Sequence, residues 1–572
     1  FIGLLIGIGL SQVTSSLVAG LFEADMSKYH FNVSTGAIIK TLIYFGIMYI
    51  VVMIFNTFMI GRRKLIDLMN SGKRNENQRL KNPIVCVIIF IIAAAMLGYA
   101  YYRVGWNIED MEPKKILIYI AMGCVSTFLI FWSVSGLMLK VIMSVKGLYY
   151  RGLNTFTFRQ LSSKVNTVVF SMTVICLMLF VTICALCGAF TIRNSLNKNL
   201  EKCCPADYQI MTMMFSKGEK IDDDISITTM LENVGTDIDE YLESYVEIRQ
   251  WEDEDFYSED YYGEYLEGLE VEFENLTFQG LEPIVSISDY NKLMKLYGRE
   301  QETLAEDEYI ELCDFDQQKP IRELPLKNGH RITVFGRELK PKYDKCVDSL
   351  IELSSMPINV GVTVVPDSVA EKGKIGAHFF TGNFKTNDKE KMQEYDRILS
   401  DKALEAVNKQ NEKLDEAEGK EQTAANYNYA FWNISKLRLA EENIGVKALV
   451  TFLGLYLGIV FLITSGAILA LRSLSDASDS LGRYDMLRKI GADESDITHS
   501  LFLQTLLFFA LPLVLAIIHS VFGMKFAMNI LTMFGAAELL PAMLLTSAII
   551  LVIYGGYFLI TYYCGKGIIR TK

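Results

Sequence analysis

Phe461-Leu462-Ile463-Thr464-Ser465-Gly466-Ala467-Ile468-Leu469 closes a long apolar run. Beyond Arg472 comes a Ser- and Asp-rich stretch, 473–481, and then Tyr484-Asp485-Met486-Leu487-Arg488-Lys489-Ile490-Gly491-Ala492-Asp493-Glu494-Ser495-Asp496-Ile497. The chain turns apolar again through Phe509-Ala510-Leu511-Pro512-Leu513-Val514-Leu515-Ala516-Ile517-Ile518-His519-Ser520. The pattern reads as a span running inward, a polar loop over 473–481, and a short helix with Gly491 as its C-cap. Asp493 reads as the N-cap of a second helix, with Asp496 three residues on. That second helix continues without a break into the next span. A short helix across the mouth of two spans is a lever on which a soluble partner can push.

Outward from this segment, eight stretches are long and apolar enough to cross a bilayer, which takes roughly 20 helical residues. They are 1–22, 37–60, 83–102, 116–143, 168–190, 448–471, 499–522 and 539–563. They lack the period-2 alternation of barrel strands, so the spans are helices. The connecting segments 61–82, 144–167, 472–498 and 564–572 carry 18 Lys and Arg, against five in 23–36, 103–115 and 522–538. The basic set is therefore expected in the cytoplasm. Phe1 opens inside an apolar run with no charged segment or cleavage site before it, so a signal peptide is not expected there and an upstream piece is.

The charge is split along the chain. Residues 191–445 hold 53 acidic and 29 basic residues, a net of −24, while the whole 572-residue chain is at −12. This excludes a single soluble domain, a fibre or a disordered chain, and with no separate basic face it argues against nucleic acid as a partner. The block is expected outside the membrane as an α+β domain large enough for its own core. Strands are expected at 207–212, 271–278, 283–287, 331–336 and 358–365, and helices at 288–297, 366–371 and 387–417. In the last helix Met392, Tyr395, Ile398, Leu399, Leu404, Val407 and Leu414 share a face. The stretch 252–274 alternates acids and aromatics. Glu252, Asp253, Glu254, Asp255, Glu259 and Asp260 are candidates for contact with a cationic peptide, against the plainer reading of a solvated acidic loop.

Chemistry of other kinds is missing from the sequence. It has no phosphate-binding G-x-x-x-x-G-K-[ST], no G-x-S-x-G and no H-E-x-x-H, and its five scattered His give no zinc spacing. No metal site, no catalytic residue and no bound cofactor is expected. His519 stands alone near the outer end of its span, which disfavours a proton relay. Span glycines read as close-packing positions. Cys203, Cys204, Cys313 and Cys346 fall in the acidic block, where Cys313 or Cys346 could bridge to the adjacent pair or all four could stay thiols; Cys203 and Cys204 are too close to bridge each other easily. The segment 148–161, with aromatics among Arg, reads as an amphipathic stretch on the inner leaflet.

The run Met486-Leu487-Arg488-Lys489-Ile490-Gly491, with Leu511-Pro512-Leu513 and Ile518-His519-Ser520 after it, resembles FtsX-like ABC transporter permeases, and within them the bacitracin-resistance (BceB-like) subfamily. The resemblance extends more loosely to Gly152-Leu153-Asn154 and the span that follows, and in the acidic block to position and size alone. It implies a polytopic α-helical membrane protein with eight visible spans, ten in the intact chain, and one large α+β extracytoplasmic domain. The corresponding division is 1–143 as a partial first core and two linking spans, 144–190 as a juxtamembrane segment and outward span, 191–445 as the external domain, and 446–572 as the second core with its coupling segment 473–498. The resemblance further implies a multi-pass cell-membrane permease, not itself an enzyme. A separate ABC ATPase dimer would carry the ATP and Mg, and Met486, Leu487, Arg488, Lys489, Ile490, Gly491 and Asp496 would couple to it. Implied as well are a sensor histidine kinase partner and resistance to bacitracin, lantibiotics or related peptides, through removal of the peptide from its lipid-linked target. The alternatives are an FtsX-like permease for lipoprotein release or cell-wall hydrolase control, and a non-energised membrane sensor or scaffold.

Overall fold

The computed structural model describes residues 35–61, 82–106, 113–144, 146–150, 152–216, 225–268, 280–417, 427–531 and 539–570, with scattered positions before 35. The expected first span, most of the loop 61–82, the strand 271–278 and the end of the acidic stretch lie outside the described residues. The chain divides into two compact units. One is Phe1–Ala189 with Val450–Ala527 and Leu540–Lys572, and the other is Phe190–Leu449 with Met528–Leu539.

Among the described residues of the chain, seven helices are long and apolar enough to cross a membrane. They are Thr35–Gly61, Pro83–Gly105, Pro113–Ser144, Val169–Cys203, Lys436–Asp479, Glu494–Leu531 and Leu539–Arg570. Several run well beyond the apolar stretches that predict them. The expected polar loop 473–481 is helical as far as Asp479, which corrects the reading above. Its polar side chains find partners without leaving the helix: Asp476 pairs with Arg472 at 3.6 Å, and buried Ser480 accepts from Gln160 just past the helix end. The Ser and Asp content signals a satisfied helix end rather than a loop.

Phe131, Leu161, Met172, Ile175, Leu179, Leu462, Leu469, Phe508, Phe509, Ala516 and Tyr554 form the core of the first unit. Of its span glycines, Gly454, Gly458, Gly466 and Gly523 are close-packing positions as expected, while a Cβ on Gly46, Gly98, Gly123, Gly188, Gly555 or Gly556 would meet no atom within 4 Å. A Cβ on Gly454 would stand 2.4 Å from that of Ala189 and 2.9 Å from the carbonyl oxygen of Ala185, and one on Gly458 would stand 2.6 Å from Leu186 Cγ. Four residues apart, the two glycines let Lys436–Asp479 lie directly against Val169–Cys203.

The second unit is built on a nine-stranded mixed sheet in the order β5-β6-β4-β7-β3-β2-β8-β1-β9. Its strands are β1 Tyr208–Ser216, β2 Leu242–Glu252, β3 Ile284–Ser286, β4 Glu308–Leu312, β5 Ile332–Val334, β6 Arg337–Pro341, β7 Val362–Val365, β8 Lys374–Phe384 and β9 Tyr427–Ser435. The β3–β7 and β4–β6 pairs are parallel and the others antiparallel. Successive strand side chains point to opposite faces, so Phe379 and Phe380 serve different layers. Phe380 packs with Tyr208, Leu399, Ala403 and Val407 under the helix Lys389–Ala417. Phe379 packs with Ile248, Tyr290, Leu293 and Val364 around the helix Ile287–Leu296. Within Lys389–Ala417 the expected Leu404 is exposed, and Ala403 takes the core position. Of the strand expected over 358–365 only Val362–Val365 joins the sheet; ahead of it Asn359 is held by Asp314 (2.8 Å) and by the Ser349 carbonyl (2.9 Å).

Candidate functional site

The short helix is Leu481–Lys489, and its end is built as the sequence indicates, with one residue of offset. Ile490 is the cap, and Gly491 follows at φ +88°. The Gly491 N–H donates to the Arg488 carbonyl at 3.0 Å, and the Ala492 N–H reaches back to the Leu487 carbonyl at 3.0 Å. This crossed pair is the Schellman arrangement, which needs a left-handed residue in the position Gly491 occupies. Two residues later the helix Glu494–Leu531 begins, and the Ile497 N–H donates to the Asp493 carbonyl at 3.1 Å.

One face of the short helix is fixed to the membrane unit. Tyr484 is fully buried, with Ala477, Ile497, Leu501 and Ile569 around it and Leu153, Phe156, Leu487 and Ala492 at the margin. Behind it runs a polar chain. Gln504 Nε2 donates to Tyr484 Oη at 3.3 Å, to Ser500 Oγ at 3.2 Å and to Gln160 Oε1 at 3.3 Å, while Gln160 Nε2 donates to Ser480 Oγ. Ser500 and Thr157 share a hydrogen bond of 2.6 Å. Burial pushes the Tyr484 phenol up to about 12, against the opposing pull of its hydrogen bonds to Gln504 and Ser500. Although Gln504 Oε1 is left without a partner among the described residues, a buried network of this kind ties together the elements it joins. Here those are Asn154–Thr167, the short helix and Glu494–Leu531.

Arg488 is a latch. It pairs with Glu494 at 2.6 Å and Asp485 at 3.0 Å, and it donates to the Ile569 carbonyl at 2.8 Å. The bond to Glu494, with its charge, holds the guanidinium even further above its usual range. The opposite face is open: Met486 is 66 % and Ile490 75 % exposed, one helical turn apart, and Lys489, Gly491 and Asp496 are exposed beside them. The seven residues singled out from the sequence thus divide. Met486, Lys489, Ile490, Gly491 and Asp496 present a surface, while Leu487 and Arg488 face the protein and hold that surface in place.

The acidic stretch of the second unit divides as well. Asp253 is buried, accepting from the Asp255 N–H at 3.1 Å and from the Phe335 N–H. Asp260 accepts from the Tyr257 N–H at 2.9 Å, closing the start of the helix Ser258–Tyr262. Both are turn-builders. Glu254, Asp255, Glu259 and Asp260 are exposed and Glu252 half-buried at the end of β2, so of the six candidates Asp253 is the one withdrawn from a cationic ligand.

Sequence reading does not find the buried ion cluster of this unit. Arg322 donates to both oxygens of Glu282 and, at 2.7 Å, to Glu311, with its guanidinium carbon 3.9 Å from the Tyr261 ring centre. Burial, with Glu282 as a second negative charge nearby, raises the Glu311 carboxyl to about 7 against the pull of Arg322. One cation neutralises one carboxylate, and the second is left to compete for a proton. No group of three or more His, Cys, Asp or Glu able to hold a metal occurs among the described residues.

Compared with known proteins, the chain is 20 % identical over 547 residues to the bacitracin export permease protein BceB of Bacillus subtilis, a match covering 92 % of this chain and 75 % of that protein. Over 91 residues, 16 % of this chain, it is 30 % identical to the ABC transporter permease protein YxdM of Bacillus subtilis, of which 15 % is covered. A match of the same length and identity covers 14 % of the BceB protein of Halalkalibacterium halodurans. No family model matches the chain.

Proposed function

We propose, for a chain that is a BceB-like ABC permease and a multi-pass membrane protein, that it is driven by a separate ATPase pushing on the helix Leu481–Lys489. The observation that carries this reading is the two-sided character of that helix. An apolar step of Met486 and Ile490 faces out from a helix whose other face is fixed by Tyr484, Gln504 and Arg488. A soluble partner binding that step meets a rigid body. Leu501, Ser500 and Gln504 of the helix Glu494–Leu531 take part in the same packing and network, so displacement of the short helix is displacement of a membrane helix.

The unit containing the sheet is the part on which the cargo acts, and it lies outside the cytoplasm, following the distribution of basic residues in the connecting segments. The helices Val169–Cys203 and Lys436–Asp479 are each unbroken through the residues at which the two units divide, which supports mechanical transmission rather than passage through a pore. The cargo is a cell-wall-active peptide of the bacitracin or lantibiotic kind, taken from its lipid-linked target, with a sensor histidine kinase as a second membrane partner. The exposed Glu254, Asp255 and Glu259 favour a cationic peptide. A deletion strain tested against bacitracin and lantibiotics decides: hypersensitivity restored by the wild-type chain supports the reading, and unchanged susceptibility with impaired lipoprotein release or wall hydrolysis replaces the cargo. A chain that isolates from membranes with no ATPase is a sensor or scaffold instead.

A further inference from the structure

Four helices of the membrane unit leave a cavity of about 130 Å³ between them. Ala100 and Tyr101 of Pro83–Gly105, Gly123 of Pro113–Ser144, Phe180 of Val169–Cys203, and His519 and Phe522 of Glu494–Leu531 stand on its wall. A Cβ on Gly123 would meet no atom within 4 Å, so the missing side chain is part of the space. The polar groups of the wall are engaged with one another. Thr127 donates its one hydroxyl hydrogen to the Gly123 carbonyl at 2.7 Å, so at 3.0 Å it accepts from His519 Nε2, which leaves His519 Nδ1 to the Tyr101 hydroxyl. The Tyr119 hydroxyl accepts from Arg103 at 3.2 Å, and the Cys124 thiol behaves as a small apolar group. A water molecule needs roughly two to four polar partners, and a cavity walled in this way suits hydrocarbon better.

Two features say which hydrocarbon enters. The rim lies on the lipid side: Ile120, on the wall, is 57 % exposed, and Leu117 and Ile118 beside it more so. Within the hydrocarbon core of a bilayer the molecules around such side chains are acyl chains. A cavity of roughly 150 Å³ takes up benzene, so this one has room for the end of a chain. From the wall a line of rings then leads to a cation. Phe522 stacks on Tyr101 with 3.9 Å between ring centres and meets Trp106 at 6.1 Å, and the Lys525 ammonium stands 4.8 Å from the Trp106 ring centre. Lys525 is exposed and forms no ion pair among the described residues. With Tyr99 and Tyr102, also exposed, Trp106 gives this end of the span the aromatic composition of the boundary between hydrocarbon and headgroups.

We propose that the cavity is a site for one phospholipid, with an acyl chain among Tyr101, Gly123 and Phe522 and the phosphate on Lys525. The chain supplies contacts that the four helices leave unmade, and the ammonium gains an anion at the headgroup level. The site rests on the membrane spans alone and is independent of the cargo and of the ATPase.

The test uses the full chain, stripped of lipid by detergent exchange and titrated with phosphatidylglycerol, with bound lipids counted by native mass spectrometry. The wild type should take up a first lipid well before a second. Gly123→Leu, which puts a side chain into the space, should weaken that first step by about tenfold or more through the lost chain contacts. Lys525→Gln should weaken it by about fivefold, the share of one cation at a membrane surface. Lys525→Gln changes an exposed position, so it keeps the test decisive if Gly123→Leu does not fold. A first step unchanged in Lys525→Gln, or unchanged in a folded Gly123→Leu, overturns the proposal. Displacement of the phospholipid by an isoprenoid phosphate at equal concentration also overturns it, because the occupant is then a lipid carrier.

Discussion

Replacing Met486 and Ile490 together by alanine is expected to leave the fold intact and to cut the affinity for the ATPase subunit by about 30- to 1000-fold. Met486 is 66 % and Ile490 75 % exposed, so most of each side chain awaits a partner. Full burial of such a side chain is worth roughly 1.5–3 kcal/mol, and truncating the exposed share forfeits about 1–2 kcal/mol at each position. The total of about 2–4 kcal/mol converts at about 1.4 kcal/mol per tenfold in Kd. Neither side chain belongs to the Tyr484 cluster, so thermal stability in detergent should move by no more than about 0.5 kcal/mol equivalent. The assay is titration of the purified permease in lipid nanodiscs with the ATPase subunit, wild type beside variant. A variant that binds within about threefold of wild type at unchanged stability, well short of the loss set by side-chain burial, refutes the reasoning, because the open apolar step would then contribute nothing.

Three further outcomes are expected. Gly491→Ala meets no atom within 4 Å but forces a side chain into φ +88°, so the helix end should weaken by about 1–2 kcal/mol; Gly491→Asn should cost less, and equal melting temperatures for the two variants would sink the Schellman assignment. Arg488→Met removes two ion pairs and a bond to the Ile569 carbonyl, so unlike the Met486 change it should lower the melting temperature in detergent and ATPase binding together. Glu311 has a folded-state pKa raised to about 7 from 4.5, so its proton is held more tightly in the folded chain. Its stabilising share is complete below about pH 4.5 and is lost as the pH rises through about 7, on the order of 3 kcal/mol in all. Glu311→Gln should flatten the melting temperature of the full chain between pH 5 and 8 and raise it at pH 8; a variant that melts lower than wild type at pH 8 contradicts this.

The membrane part is largely legible in the sequence because a helix in lipid must satisfy its backbone internally and must be apolar over its whole length. The ends are less so, since Arg472, Asp476 and Ser480 are polar yet paired within the helix or to Gln160. In the sheet unit β1, β3, β5 and β7 coincide with expected strands, while β2, β4, β6, β8 and β9 escape notice. In β2 the sequence Leu-Glu-Ser-Tyr-Val-Glu-Ile-Arg-Gln-Trp-Glu buries residues at irregular intervals, partly because the strand shifts register against β8 at both ends. The central strand β8 is covered on both faces, so Ala377, His378, Phe379 and Phe380 are all buried and no alternation exists to read. The exposed half of the candidate lever is visible as a motif with a glycine stop. Its anchoring half is not, because Thr157 meets Ser500 and Gln160 meets Ser480 across more than 300 residues, and polar side chains at such separations leave no local pattern.

Coupling between the short helix and the sheet unit is best measured as a distance. With spin labels at Leu404, exposed in the sheet unit, and at Trp106, exposed in the membrane unit, on a background lacking the exposed Cys564, distances are recorded for the complete permease–ATPase complex in nanodiscs with and without ATP and vanadate. Trapping the ATPase should shift the distance distribution, and the shift should vanish in the Met486→Ala, Ile490→Ala double variant. Identical distributions in the free and trapped wild-type complex would contradict mechanical coupling from the short helix to the sheet unit.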